Sequence, residues 1–496
     1  SEFTTRPPQH DSLAESSGES TDTRSEGVPL PLPRPAHTHL QTPTLTMSVA
    51  VDNGESRLRR LQLMVFVTMF VGYACYGYNR KGVSLALPKL MEEGLKQEHA
   101  GMIVSCQNLA YALSKFLGGV LSDRLSARRL FASGLVLSGV ATLLFGTANS
   151  LGLFCGYWFL NGLAQGAGWP SCAKIIRQWY HPSQFGTWWS ILSASTNVSG
   201  GIAPFVSTWL ILQYGWRASL FTAGGVSVVM GLVSFFTLFN SPVDLGLPSP
   251  LVNAAGPSAS GPGNAATTTK KDDDSETSLV EGSIGDLLMS PFLWLMAIGY
   301  FVVFAAKTAC VDWGQVYLMD THKQSAYVGS TLTSSIESGG FIGGIVAGMV
   351  TDVLMARHDR RLYRHNPRIP AVVIFFIVAG ACLHLLVFHV DHTTSKLSIA
   401  CLGAVLGAAL YGDIALFGIV ASEAAPLHLS GSSHAIAALA GNVGAIVSGL
   451  PFSMLATAMS WQAAFLVLEA MCLAASVLLL AGVRVDGRIA KHLHQD

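Results

Sequence analysis

The sequence predicts an all-α membrane protein of twelve transmembrane helices, arranged as two pseudo-symmetric six-helix halves. Three observations carry that prediction. Half of the 496 residues are hydrophobic and only 12% are charged, against roughly 25% in a soluble domain, and the mean hydropathy is +0.44. Apolar runs of spanning length, about 20 residues, recur twelve times. Residues of the first six runs also reappear at matching positions in the last six. A net charge of zero gives no basis for a nucleic-acid partner. No nucleophile-base set, metal cluster or phosphate-cradling glycine loop occurs, so neither an enzyme nor a cofactor is expected.

The elements follow in order. Residues 1–56 are rich in Ser, Thr, Pro and Glu and lack the apolar core of a signal peptide, so they are expected to be disordered, with Met47 the expected native start. The N-terminal half, 57–240, holds runs at 61–88, 99–122, 128–148, 151–178, 186–212 and 218–240. A polar Gly/Ser/Pro-rich segment, 241–288, reads as a flexible linker. The C-terminal half, 289–485, holds runs at 289–319, 326–350, 369–391, 397–423, 430–457 and 461–483, and a short tail, 486–496, ends the chain. Lys and Arg number eighteen on the terminal flanks and even-numbered loops against five on the opposite face, which predicts cytosolic termini, linker and tail. The eight cysteines sit singly within apolar runs and read as buried small hydrophobes.

The duplication is visible in particular residues. GGVLSDRLSARR and AGMVTDVLMAR share Gly-x3-Asp-x4-Arg, as Gly119, Asp123 and Arg128 against Gly348, Asp352 and Arg357. Asn197 and Asn442 each precede a Trp, Trp216 or Trp461, by 19 residues. Parallel repeats of this kind let one half of a transporter rock against the other. The first copy, with Arg124 following Asp123, resembles the loop signature of the major facilitator superfamily, with Ser126 in place of its second Gly. Its expected work is local: a small residue admits a neighbouring helix, and a carboxylate latches a helix end to basic loop residues.

A cation pair stands out in YGYNRKGVSLALP, residues 76–88. Arg80 lies about 20 residues into the first run. Snorkelling to the interface is the ordinary fate of a cation near a helix end, yet the second half repeats the feature. Lys307 precedes Asp352 by 45 residues as Arg80 precedes Asp123 by 43, so the two cations should face each other across a central cavity. Burying each costs about 2.5–3.5 kcal/mol on insertion scales, which calls for an anion. Asp312, Glu337, Asp413 and Glu469 are candidate protein partners, although Asp312, five residues past Lys307, points away from it on an ideal helix. A phosphate monoester, carrying about −1.5 to −2 at pH 7, is the better match for a guanidinium fork and an ammonium. Arg80 and Lys307 are therefore the expected phosphate clamp, with Lys81 in support. An empty clamp leaves like charges facing in a closing cavity, which favours exchange over net transport.

NRK in the first run, FLNGLAQGAGWPSCAKIIRQWYHPSQFGTWWSILSASTNVSGG, VVFAAKTACVDWGQ, YGDIALFGIVASEAAP and GSSHAIAALAGNVGAIVSGLPFS together resemble the glucose 6-phosphate/phosphate exchangers among the organophosphate:phosphate antiporters. The resemblance covers about residues 60–485 apart from the linker. It implies exchange of cytosolic glucose 6-phosphate for inorganic phosphate across the endoplasmic reticulum membrane, in support of a lumenal glucose-6-phosphatase. It places Arg80, Lys81 and Lys307 at the phosphate and Tyr76 beside them. Asn161 and Gln165, from a cavity-lining helix, and Gln107, Asn197, His434 and Asn442, from flanking ones, become candidates for sugar hydroxyls. Each of these polar groups has an interhelical hydrogen bond as its alternative role, His434 a proton-sensing one. Trp169, Trp188 and Trp189 either stack on a sugar or pack.

Two departures from the family bear on function. Asp413 stands where the resembled exchangers have Pro, and the tail KHLHQD lacks a dilysine retrieval signal. Asn197-Val-Ser is formally a glycosylation sequon, unused inside a span. A proton-coupled sugar or organic-anion symporter, working through Asp413, Glu337 or His434, is the rival reading, and a sugar-phosphate sensor is another.

Overall fold

The computed structural model describes residues 44–181, 184–248, 284–357, 366, 368–425 and 430–482. Residues 54–496 belong to one compact unit. Fifteen α-helices run in chain order: α1 Thr44–Glu92, α2 Gln97–Arg124, α3 Ala127–Thr147, α4 Leu151–Gln165, α5 Gly168–Trp179, α6 Phe185–Tyr214, α7 Trp216–Thr237, α8 Ile284–Leu288, α9 Pro291–Asp320, α10 Ala326–Arg357, α11 Ile369–Phe388, α12 Lys396–Ala424, α13 Ser430–Val447, α14 Leu450–Ala458 and α15 Trp461–Gly482. With α4–α5 and α13–α14 each taken as one broken path, and the short α8 set aside, these are the twelve expected paths. The first helix starts inside the segment expected to be disordered. The expected linker closes with α8 and opens with a 3-10 turn at Pro242–Leu245.

Among the described residues, eight helices are long and apolar enough to cross a bilayer, and the pair α13–α14, bent by 41°, adds a ninth span. The paths below that threshold, α2, α4–α5 and α6, carry Gln, Asn, Ser, Thr and Lys. Several of these polar residues, among them Gln107, Asn161, Gln165, Ser195 and Thr208, are buried against protein, where a bilayer does not penalise them. In the first half α3 packs on α4 and α7, and α2 on α4; in the second α10 packs on α12, α9 on α13 and α11 on α15. The halves meet where α2 touches α13 and α14 and where α6 touches α10.

The internal repeat is physical as well as sequential. Trp216 donates its indole N–H to Glu93 at 2.8 Å, and Trp461 donates to Asp320 at 2.9 Å. Each opens the last helix of its half and ties it to the end of the first. At the opposite end, Arg368 is bonded by both its Nε and Nη2 to Glu423, at 3.1 and 2.9 Å, and by Nη2 to Asp352 at 2.8 Å. Burial works against the Arg368 charge, but these carboxylates raise its pKa above the ordinary arginine value. Asp352 thus ties α10 to Arg368, next to the start of α11. Arg128 instead donates to the Phe235 carbonyl at 2.8 Å, pinning α3 to the end of α7. The packing of Gly119 and the side chains of Asp123, Arg124 and Arg357 lie outside the described residues. Gly348 differs from its expected role: a Cβ built there meets nothing within 4 Å among the described residues. The close helix approach lies elsewhere, at Gly339 and Gly343 against the backbone of Ala404 and Ala408.

Candidate functional site: a cation-lined cavity between the halves

Arg80 stands twelve residues before Glu92 in α1, and Lys307 thirteen residues before Asp320 in α9. Equal depth in pseudo-symmetric helices brings both to one cavity of about 150 Å³. Its wall takes Arg80, Lys81 and Ser84 from α1, Gln107, Asn108, Tyr111 and Lys115 from α2, Lys307, Thr308 and Asp312 from α9, and Asn442 from α13, with Trp158 and Phe304 as apolar walls. Four cations and one carboxylate line it. In a low-dielectric enclosure such an excess attracts an anion strongly.

The cations are held differently. Arg80 donates from Nε to Gln165 at 2.9 Å and lies 4.0 Å from the centre of the Tyr111 ring. It has no carboxylate partner among the described residues, so its charge is open to a ligand. Gln165 in turn donates to Asn161 at 2.7 Å, and Asn161 donates to Thr142 at 2.9 Å and Asn79 at 3.2 Å. Lys81 is bridged to Asp312 at 3.2 Å across the two halves. Asp312 therefore turns from Lys307, as helix geometry requires, and meets the neighbour of Arg80. Lys307 lies 4.0 Å from Glu337 and 5.1 Å from the Tyr411 ring centre, while the Tyr411 hydroxyl donates to Glu337.

The sequence candidates divide. Gln107 and Asn442 line the cavity with the three cations. Asn161 and Gln165 form the buried network behind Arg80, 0% and 2% exposed. Tyr76 lies outside the lining: its hydroxyl donates to the Phe131 carbonyl at 2.7 Å and its ring packs in the core of the first half. Asn197 accepts from Thr196 at 3.1 Å, and His434 is 3.3 Å from the Gly418 carbonyl; neither lines the cavity. Trp169 and Trp189 pack on one another at 4.5 Å, and Trp188 stacks on Tyr180 at 4.4 Å. Asp413 is fully buried, and neither oxygen has a partner among the described residues. Glu469 pairs with His384 at 3.1 Å.

Sequence reasoning missed Lys115, whose ammonium sits 4.7 Å from the Tyr111 ring centre. The signal was available, since Lys115 is a cation inside an apolar run. Tyr111 and Asn108 were also missed.

Two like helical halves meeting at a cation-lined cavity are the arrangement of a multi-pass membrane transporter. The chain belongs to the Major Facilitator Superfamily, whose family model matches residues 69–449. It is 30% identical over 427 residues to a probable hexose phosphate transport protein of Chlamydia pneumoniae, covering 86% of this chain and 91% of that one. It is also 30% identical over 427 residues to the membrane sensor protein UhpC of Salmonella typhimurium, covering 86% and 92%. Among solved structures the nucleoside transporter NupG superposes with a TM-score of 0.62 at 14% identity, over 85% of this chain and 99% of that one, a likeness of fold. Membership places the chain among transporters and not among enzymes.

Proposed function

We propose that this chain exchanges glucose 6-phosphate for inorganic phosphate by alternating access, with Arg80 and Lys307 clamping the phosphoryl group. The observation that carries the reading is the meeting of these two cations in one cavity, Arg80 without a carboxylate partner among the described residues. Similarity to a hexose phosphate transport protein supports the substrate class. Arg80 supplies a planar fork for two phosphoryl oxygens, and Lys307 supplies a point charge from the other half. Asp312 and Glu337 hold Lys81 and Lys307, and a dianion competes with them for both lysines. By the resemblance, the protein works in the endoplasmic reticulum membrane, supplying a lumenal glucose-6-phosphatase; the bias of Lys and Arg puts both termini in the cytosol.

A second reading, a sensor that binds sugar phosphate without moving it, is favoured by the similarity to UhpC. Proteoliposomes separate the two. Uptake of labelled phosphate and of labelled glucose 6-phosphate should require phosphate inside and fall at least a hundredfold in Arg80→Ala and Lys307→Ala, the loss of a charged phosphate contact. Binding without uptake would leave the sensor. Uptake driven by a proton gradient with no internal phosphate would favour the symporter; Asp413→Asn, outside the cavity, should leave exchange unaltered.

A further inference from the structure

We infer that Gln107 is the residue that tells a hydroxylated phosphate ester from inorganic phosphate. This rests on the phosphate clamp proposed above and adds a division of the cavity into a charged end and a hydroxyl-reading end. Gln107 is 4% exposed, lines the cavity, and its Nε2 has no hydrogen-bond partner among the described residues. A buried carboxamide N–H left unpaired is costly, and such groups are normally satisfied. Its neighbour Asn108 shows the contrast: lining the same cavity, it spends its Nδ2 on the Ala445 carbonyl at 2.9 Å.

Position fixes what the free amide reads. Val104, Gln107, Tyr111 and Lys115 fall on one face of α2 and all line the cavity. Tyr111 is clasped by Arg80 and Lys115, so the phosphoryl end lies at its level. Gln107 stands one turn away from Tyr111 along α2, about 6 Å of rise. It is within the reach of a hydroxyl carried one sugar ring further on. The backbone under Gln107 cannot drift from that distance, because α4 presses on it. A Cβ built on Gly162 would lie 2.5 Å from the Gln107 carbonyl oxygen and 3.1 Å from the Tyr111 nitrogen. The amide is thus pre-positioned, and a substrate hydroxyl oxygen accepts from it. Inorganic phosphate leaves it unpaired, and a site built around a buried donor discriminates against a ligand that lacks the matching group.

The test is competition against phosphate counterflow in proteoliposomes, with inorganic phosphate, glycerol 3-phosphate and glucose 6-phosphate as unlabelled competitors, in wild type, Gln107→Leu and Gln107→Asn. The wild type should prefer the hydroxylated esters. In Gln107→Leu the ratio of glucose 6-phosphate to phosphate affinity should fall about tenfold, the worth of one buried hydrogen bond, and Gln107→Asn, with a shorter reach, should fall between. Equal loss for all three competitors would overturn the assignment and make Gln107 a wall residue; so would an unchanged ratio. If Gln107→Leu does not fold, Gln107→Asn alone decides by the same ratio. Failure of the clamp itself shows separately, as wild-type counterflow that no phosphate ester inhibits.

Discussion

The Arg80 guanidinium donates to Gln165, Gln165 to Asn161, and Asn161 to Asn79 and Thr142. The charge assigned to the proposed clamp is therefore aimed by amides buried behind it. Replacing Gln165 by Leu removes an acceptor from a buried cation, an interaction worth about 1.5–3 kcal/mol. Apparent phosphate affinity in Gln165→Leu should fall tenfold or more in counterflow assays, while the protein remains folded by circular dichroism. A second residue-scale prediction concerns pH. His322, in the turn after α9, packs edge-on to Tyr317 with ring centres 4.9 Å apart, and its Nε2 is buried without a partner among the described residues. Burial lowers its pKa below the ordinary histidine value, with the charge of Asp391 opposing. The folded state then binds fewer protons than the unfolded chain. Its stabilising share is complete above about pH 6.5 and is lost as the pH falls through the lowered value. Thermal midpoints measured from neutral to mildly acid pH should drop, and drop less in His322→Phe. An equal drop in both would remove His322 as the cause.

Between elements, the second half is held by a seam of small residues. Gly339 and Gly343 of α10 meet Ala404 and Ala408 of α12, and Gly407 meets Ile336. Helices in a bilayer gain little from apolar burial and associate through such close backbone approach. A methyl group at Gly343 would collide with backbone atoms of Ala408, whereas one at Gly348 would meet nothing within 4 Å among the described residues. Gly343→Ala and Gly407→Ala should destabilise the detergent-solubilised protein by about 1–3 kcal/mol, read as a lower thermal midpoint. Gly348→Ala should match the wild type; a loss there would mean that the repeated motif glycine is a contact after all. The repeat itself was legible because duplication preserves spacing. The seam was not, because 50 glycines are spread through the chain and only the partner helix shows which of them are pressed.

At the scale of the whole molecule, twelve apolar runs and the matched depths of Arg80 and Lys307 could be read from one dimension, since length and spacing encode them. The Lys81–Asp312 bridge, the Gln165 support and the free amide of Gln107 could not, because each depends on helix rotation and on which half faces which. The same contacts between halves carry the last prediction. Near the Glu92 end, the break between α13 and α14 frees backbone groups that a membrane interior requires to be satisfied, and the other half satisfies them. Ser105 of α2 donates to the Ile446 carbonyl at 2.9 Å and accepts from the Leu450 N–H at 2.7 Å. Asn108 donates to Ala445, and Gln97 to the Ser453 carbonyl at 3.1 Å. In the proposed alternating-access cycle, separation of the halves at this end strips these groups at once, which makes the clasp a barrier on that cycle. Cysteines at Gln97 and Ser453, with native Cys106, Cys155 and Cys401 replaced, should cross-link on mild oxidation of the ligand-free protein. The oxidised protein should lose exchange and regain it on reduction. If the cross-linked protein still exchanges phosphate at the uncross-linked rate, the halves do not part along α2 and α14, and the rocking axis lies elsewhere.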